Sequence, residues 1–201
     1  MPVERRWLGL DRTTILPALV VLALAATMAL GVPAIDNAVP DGVRARAGDQ
    51  IGLARGITFV PATGWVITDG ILLGQEPRSG GYPSSATVND GPVSFRVQTA
   101  PYSGTAAALL QQIRETDNAL FGSQGLHVSE DSYPVRTATG LQGVLSPFRS
   151  AASDGVAAAF VIDGTGVKVV MTGSPAANRD LSPEIEDMLN SIRAGPSGGA
   201  E

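Results

Sequence analysis

The hydrophobic pattern of the chain changes character at Ile35. From Ile15 to Ile35 the sequence ILPALVVLALAATMALGVPAI runs for 21 residues without a charge, with polar or charged neighbours at both ends. An apolar helix needs roughly 20 residues to cross a hydrocarbon core of about 30 Å, so this stretch predicts one transmembrane helix. Residues 36–48, DNAVPDGVRARAG, are polar, interrupted by Pro40 and Gly42, and have no apolar period. They read as a tether that keeps the following domain within a few tens of ångströms of the bilayer.

Beyond the tether, short apolar runs alternate with turn residues. Gln50–Leu53 and Ile57–Val60 favour strands, and Pro61 to Gly64 form a turn that returns Trp65 to the core. Gln75 to Ser85 (QEPRSGGYPSS) is a Gly/Pro loop. Ala86–Val88 and Val93–Gln98 flank Asn89-Asp90-Gly91-Pro92, a hairpin signal. In the second of these strands Val93, Phe95 and Val97 alternate with Ser94, Arg96 and Gln98, the period of two that buries one face.

Leu126–Ser129 and Tyr133–Thr137 read as short strands, followed by three longer ones, Leu141–Ser150, Val156–Ile162 and Val167–Thr172. Ala151–Gly155 and Asp163–Gly166 join the long strands as hairpins, because Asp-Gly supplies the positive φ of a tight reversal. Val156–Ile162 is almost continuously apolar, which suits a central strand covered on both faces and is too short for a second membrane crossing.

Two helices fit the remaining pattern. Ser103-Gly104-Thr105 caps one that runs to about Phe121, with Ala106, Leu109, Leu110, Ile113 and Leu120 on one side and Gly122 and Gly125 ending it. Ser182-Pro183-Glu184 opens the other with a cap, a proline at the first helical position and an acid in the first turn, followed by the stripe Ile185, Met188, Leu189 and Ile192. Strands, helix, strands and helix joined mostly by hairpins predict an α+β fold, an antiparallel sheet with helices packed on it, preceded by the transmembrane helix. The expected organisation is a cytoplasmic tail at 1–14, the transmembrane helix at 15–35, the tether at 36–48, an extracytoplasmic domain at 49–194 and a disordered tail at 195–201.

Charge sets the orientation. Arg5, Arg6 and Arg12 precede the apolar stretch, and the first charges after it are Asp36 and Asp41, a bias that favours the amino end in the cytoplasm and the C-terminal domain outside. The localisation that follows is a single-pass protein of the cell membrane. The rival reading is a cleaved secretory signal and a soluble secreted ligand-binding protein. The apolar region of such a signal is usually about 7 to 15 residues, shorter than Ile15–Ile35.

Composition then removes several chemistries. The formal net charge is −5, and no Lys/Arg block is present to neutralise phosphates, so nucleic acid is not an expected partner. There is no cysteine, which excludes a lipidated Cys anchor, disulfides, thiol catalysis and Cys-ligated metals. The one histidine, His127 between Leu126 and Val128, reads as a partly buried strand residue, since zinc needs three or four ligands.

Ser84 and Ser85 lie outside any G-x-S-x-G context. Glu130-Asp131 reads as a solvated loop, and Glu184, Glu186 and Asp187 as acids favoured in the first turns of a helix. The glycines of Gly122-Ser123-Gln124-Gly125 and Gly164-Thr165-Gly166 lack the Lys-Ser/Thr of a phosphate loop. Among the large rings Trp65, Tyr82, Tyr102, Tyr133 and Phe148, Tyr82 in the Gly/Pro loop is expected to be the exposed one, and Trp65 and Phe148 core residues. No catalytic, cofactor-binding or metal residue is expected.

Gly56-Ile57-Thr58-Phe59-Val60-Pro61 followed by Gly64-Trp65, then a hairpin, a helix ending near Phe121, a meander carrying Leu141-Gln142-Gly143 and a closing amphipathic helix, resembles the PsbP-like α/β/α sandwich. In particular the chain resembles the actinobacterial LpqN-type envelope proteins from about Asp49 to Arg193, with the Ile15–Ile35 helix in place of their lipidated Cys. The resemblance implies a non-enzymatic accessory domain without shared catalytic residues. It also implies a membrane protein complex or an envelope lipid as partner, in lipid transport or assembly.

Overall fold

In a computed structural model Val93, Phe95 and Val97 are fully buried while Arg96 is exposed and Ser94 and Gln98 are half-buried, so the period of two sets which face of the strand meets the core. The structure describes residues 42–195 apart from 76, 78, 79, 122–126, 151, 152 and 181. The expected transmembrane helix, the tail before it, most of the tether, Gly122 and Gly125, and all but Gly195 of the C-terminal tail lie outside the described residues. Among the described residues no helix is long and apolar enough to cross a membrane.

From Val43 onward the chain forms one unit. Among its described residues the strands are β1 (Val43–Arg44), β2 (Ile51–Leu53), β3 (Ile57–Phe59), β4 (Val66–Asp69), β5 (Ile71–Leu72), β6 (Ser85–Asp90), β7 (Val93–Pro101), β8 (Tyr133–Arg136), β9 (Gln142–Arg149), β10 (Asp154–Ile162), β11 (Thr165–Gly173) and β12 (Arg193–Ala194). The helices are α1 (Ala106–Phe121), α2 (Pro175–Asp180) and α3 (Ser182–Asn190). Eight strands make one sheet in the order β1-β4-β6-β7-β11-β10-β9-β8, and four make a second in the order β12-β3-β2-β5. Every pairing in both is antiparallel.

Two of the expected hairpins are in place as read, whereas Asp154-Gly155, read as turn residues, open β10 and pair with Arg149 and Phe148, and Gly155 has no positive φ. Asp163 at φ +45° and Gly164 at φ +75° form the two-residue turn between β10 and β11, whose paired positive φ matches the twist of an antiparallel ribbon. Gly91 at φ +51° and Pro92 reverse β6 into β7, pairing Asp90 with Val93. Ala157, Ala158, Ala159 and Phe160 of β10 are all fully buried, as expected of a central strand covered on both sides.

The main core lies between one face of the large sheet and a layer made of the small sheet and α3. Phe95, Phe160, Val167 and Val169 meet Ile51, Leu53, Phe59, Met188 and Ile192 there, and the rings of Phe59 and Phe95 sit 5.8 Å apart. On the opposite face α1 lies over β9, β10 and β11, its Leu110 and Ile113 packing with Phe148, Ala157 and Ala159. Thr105 Oγ1 accepts the Ala108 N–H at 3.1 Å, capping α1 where the sequence placed the cap.

Glycine on β9 and β10 makes room for aromatic rings. Gly143 is paired directly with Phe160, and Gly155 with Phe148. A Cβ at either position would collide with the opposing ring and with a backbone carbonyl.

Further expectations are corrected. Val43–Arg44, inside the stretch 36–48 read as a tether, pair with β4, and Ala45 is buried, its N–H donating to the Trp65 carbonyl. His127 is exposed at φ +43° and outside any strand; among the described residues of that run only Val128 pairs, in a single bridge to Phe148. The residues before the tail also pair: Arg193–Ala194 form β12 on β3, and the Gly195 N–H donates to the Gly56 carbonyl.

Candidate functional site

Helix α1 covers only part of its face of the large sheet. Beside it β4, β6 and β7 present polar side chains that bond to one another: Arg96 Nε donates to Thr87 Oγ1 (3.1 Å), Asn89 Nδ2 to Thr68 Oγ1 (3.0 Å), and Ser85 Oγ to Asp69 Oδ2 (2.8 Å). An antiparallel sheet tolerates one solvated face because its backbone groups are already paired. The boundary between the covered and the open region is a groove of about 340 Å³. Leu109, Gln112 and Ile113 of α1 form one wall, Tyr102 closes one end, and Gln98, Gly166 and Lys168 belong to the floor.

Gly166 shapes that floor. A Cβ there would stand 2.8 Å from Tyr102 Cβ and 3.0 Å from a Leu109 methyl, so glycine lets the tyrosine and the helix close onto the strand. The Tyr102 N–H donates to the Gly164 carbonyl at 2.9 Å, fixing the segment that leads into α1.

Lys168 is the only lysine in the chain. On β11 its neighbours Val167 and Val169 point into the main core, so the alternation sends Lys168 to the helix-covered face. It pairs with Gln98 of β7 on one side and Ala159 of β10 on the other. Arg96 is its diagonal neighbour on β7, a relation that places Cβ atoms within about 7–8 Å. Burial pushes the Lys168 ammonium below the usual lysine range; the Asp117 carboxylate partly offsets this, and the Arg96 guanidinium adds to the lowering. Asp117 is itself buried on α1, one turn beyond Ile113 on the same stripe. Among the described residues Lys168 has no hydrogen-bond or ion-pair partner.

The residues singled out in the sequence do not converge here. Glu130 and Asp131 are exposed in the loop before β8, and Glu184, Glu186 and Asp187 are exposed on α3. Ser84 borders the groove, but its carbonyl is engaged by the N–H of Thr99 (2.8 Å), and Ser85 bonds Asp69. Trp65 and Phe148 are core residues as expected. Tyr82 is not the exposed ring: it lies over Gly52, where a Cβ would come within 2.6 Å of it, and its hydroxyl accepts the Gly74 N–H at 3.2 Å. Tyr133, on the edge strand β8, is 56% exposed. No group of three or more His, Cys, Asp or Glu among the described residues is arranged to hold a metal.

Sequence reasoning passed over Lys168, Gln98, Gln112 and Asp117. Two signals mark Lys168 and Asp117 in retrospect, a lone lysine inside an apolar strand and an aspartate at i+4 from Ile113 on an otherwise apolar helix stripe; Gln98 and Gln112 carry no such mark.

No family model and no curated protein matches the chain. Among solved structures it is similar to the solution structure of the cyanobacterial PsbP protein CyanoP from Synechocystis sp. PCC 6803, with a TM-score of 0.50 and 12% identity over 77% of this chain and 95% of that one. A Pseudomonas aeruginosa protein of unknown function matches with a TM-score of 0.42 and 14% identity, over 66% of this chain and 99% of that one. A Bacteroides thetaiotaomicron protein matches with a TM-score of 0.36 and 10% identity, over 77% of this chain and 51% of that one. The likeness to CyanoP gives the domain a PsbP-like fold.

Proposed function

We propose that this chain is a single-pass membrane protein whose PsbP-like domain lies outside the cytoplasm and acts without catalytic turnover, as an accessory or binding domain of a cell-envelope membrane complex. The observation that carries the reading is the uncharged Ile15–Ile35 stretch, long enough to cross a bilayer, with arginines before it and an acidic bias after it. The PsbP-like fold is consistent with an accessory role, and the resemblance to LpqN-type proteins adds lipid transport or assembly as the setting.

Fractionation of native cells tests the anchor. The expected result is intact protein in the membrane pellet after a carbonate wash, with the C-terminal domain accessible to protease added from outside. A mature chain free in the medium and shortened by some 30 residues would replace this reading with the secreted binding protein. Crosslinking in native membranes, followed by detergent extraction and pull-down, tests the second half: a specific membrane protein or lipid is expected, and recovery of neither overturns it.

A further inference from the structure

We propose that the groove between α1 and the sheet binds a small molecule joining one anionic group to a short apolar segment, the anion held by Lys168 and the apolar part against Leu109, Ile113 and Tyr102. The inference deepens the binding-domain reading and rests on it.

Three observations define the ligand. The first is charge. Lys168 stands on the groove floor with no hydrogen-bond or ion-pair partner among the described residues. Arg96 is next to it on β7, and Asp117 is the carboxylate that acts on it. Two cations against one carboxylate leave a local positive charge in a chain whose net charge is −5. An anion is the group that such a half-desolvated ammonium favours.

The second is the set of neutral donors. Gln98 lies directly opposite Lys168, and Gln112 faces the same space from α1. Neither amide has a hydrogen-bond partner among the described residues. Their N–H₂ groups add to the ammonium the kind of convergent polar contacts that orient a ligand in a concave site.

The third is shape. A volume of about 340 Å³ is at the small end of the roughly 300–1,000 Å³ typical of small-molecule sites. Leu109, Ile113 and the Tyr102 ring make one side apolar, while the floor is polar. A free inorganic anion would leave the apolar side wet, and a neutral hydrocarbon would leave Lys168 unpaired.

The test uses the full chain in phosphatidylcholine nanodiscs with three probes: octyl phosphate, inorganic phosphate and octyl glucoside. Because Lys168 is the only lysine, mass spectrometry after acetylation reads its accessibility without interference from other lysines. Octyl phosphate is expected to protect Lys168 saturably, inorganic phosphate at least tenfold more weakly, and octyl glucoside not at all.

Lys168→Gln is expected to lower octyl phosphate affinity at least tenfold by calorimetry while melting no lower than the parent, and Leu109→Ser to lower it several-fold. Equal protection by phosphate and octyl phosphate would overturn the amphiphile in favour of a bare anion site. Protection by octyl glucoside, or unchanged affinity in Lys168→Gln, would overturn the role of the lysine. A failed groove leaves the membrane fractionation and pull-down results standing, so the two readings fail separately.

Discussion

The indole N–H of Trp65, whose residue is 1% exposed, donates to Glu184 Oε2 at 2.6 Å. Trp65 follows the turn after β3, and Glu184 stands in the first turn of α3, so one bond ties the N-terminal strands to the closing helix. The sequence motif Gly64-Trp65 and the acid cluster of α3 are therefore two ends of one structural link.

Glu184→Ala removes the acceptor and leaves a buried donor unsatisfied, which costs about 1–3 kcal/mol. In a chain of this size that corresponds to a drop in Tm of roughly 2–4 °C per kcal/mol. Glu184→Gln keeps a carbonyl acceptor and is expected to recover at least half of the loss. Thermal melts followed by circular dichroism check both; an alanine variant that melts with the parent would show that the bond contributes nothing net.

Gly143 belongs to the Leu141-Gln142-Gly143 run that carried the family resemblance, and its place is steric. Phe160 lies across it from β10, and a Cβ would also meet the Ala159 carbonyl at 2.7 Å. Gly143→Ala is expected to destabilise the domain by about 1–3 kcal/mol through overpacking of a strand pair that cannot move apart. Gly81→Ala, where a Cβ meets open space, is the control and is expected to leave the urea midpoint unchanged.

The β10–β11 turn gives a second backbone prediction. Gly164 sits at φ +75° with nothing near its missing Cβ, so Gly164→Ala meets conformational strain alone and is expected to cost about 1 kcal/mol. Asp163→Asn is expected to be neutral, because asparagine tolerates the left-handed region as well as aspartate does. Urea denaturation of the two variants separates turn strain from side-chain chemistry.

These turns explain why much of the sheet was legible. The β6–β7 and β10–β11 hairpins are local events, written in two to four residues that include a positive φ, whereas Asp154-Gly155, which carry the same dipeptide, are strand residues; the alternation of Val93 to Gln98 states which face is buried. What was missed is short or long-range. β1 and β12 have two residues each, too few for any period, and exist because β4 and β3 are already in place to receive them. The C-terminal closure also depends on Ser191, whose hydroxyl accepts the Val60 N–H at 2.9 Å across 131 residues of sequence. α2, Pro175–Asp180, has no buried residue and hence no stripe to read. The groove is hidden for the same reason: Lys168 acquires its environment only when α1 and β7 are laid beside β11.

Lys168 makes the stability of the domain depend on pH. Burial is the first cause lowering its pKa in the folded chain, Asp117 opposes it, and Arg96 adds to it. The unfolded chain therefore holds the proton to higher pH than the folded one, and between the lowered value and the ordinary 10.5 the unfolded state binds more protons. Stability attributable to this group must rise with pH through that window. Below it both states are protonated and the folded chain bears the full penalty of the half-buried charge. Lys168→Gln removes a group that the fold alone would be better without, so it is expected to raise the urea midpoint slightly near pH 7, with the advantage shrinking as pH approaches 10. The effect is small because the group is only half-buried and solvent screens it. Comparing the two chains at each pH cancels every other titration. If the glutamine chain is the less stable one at pH 7, the Asp117 attraction outweighs the burial penalty and Lys168 serves the fold instead of a ligand.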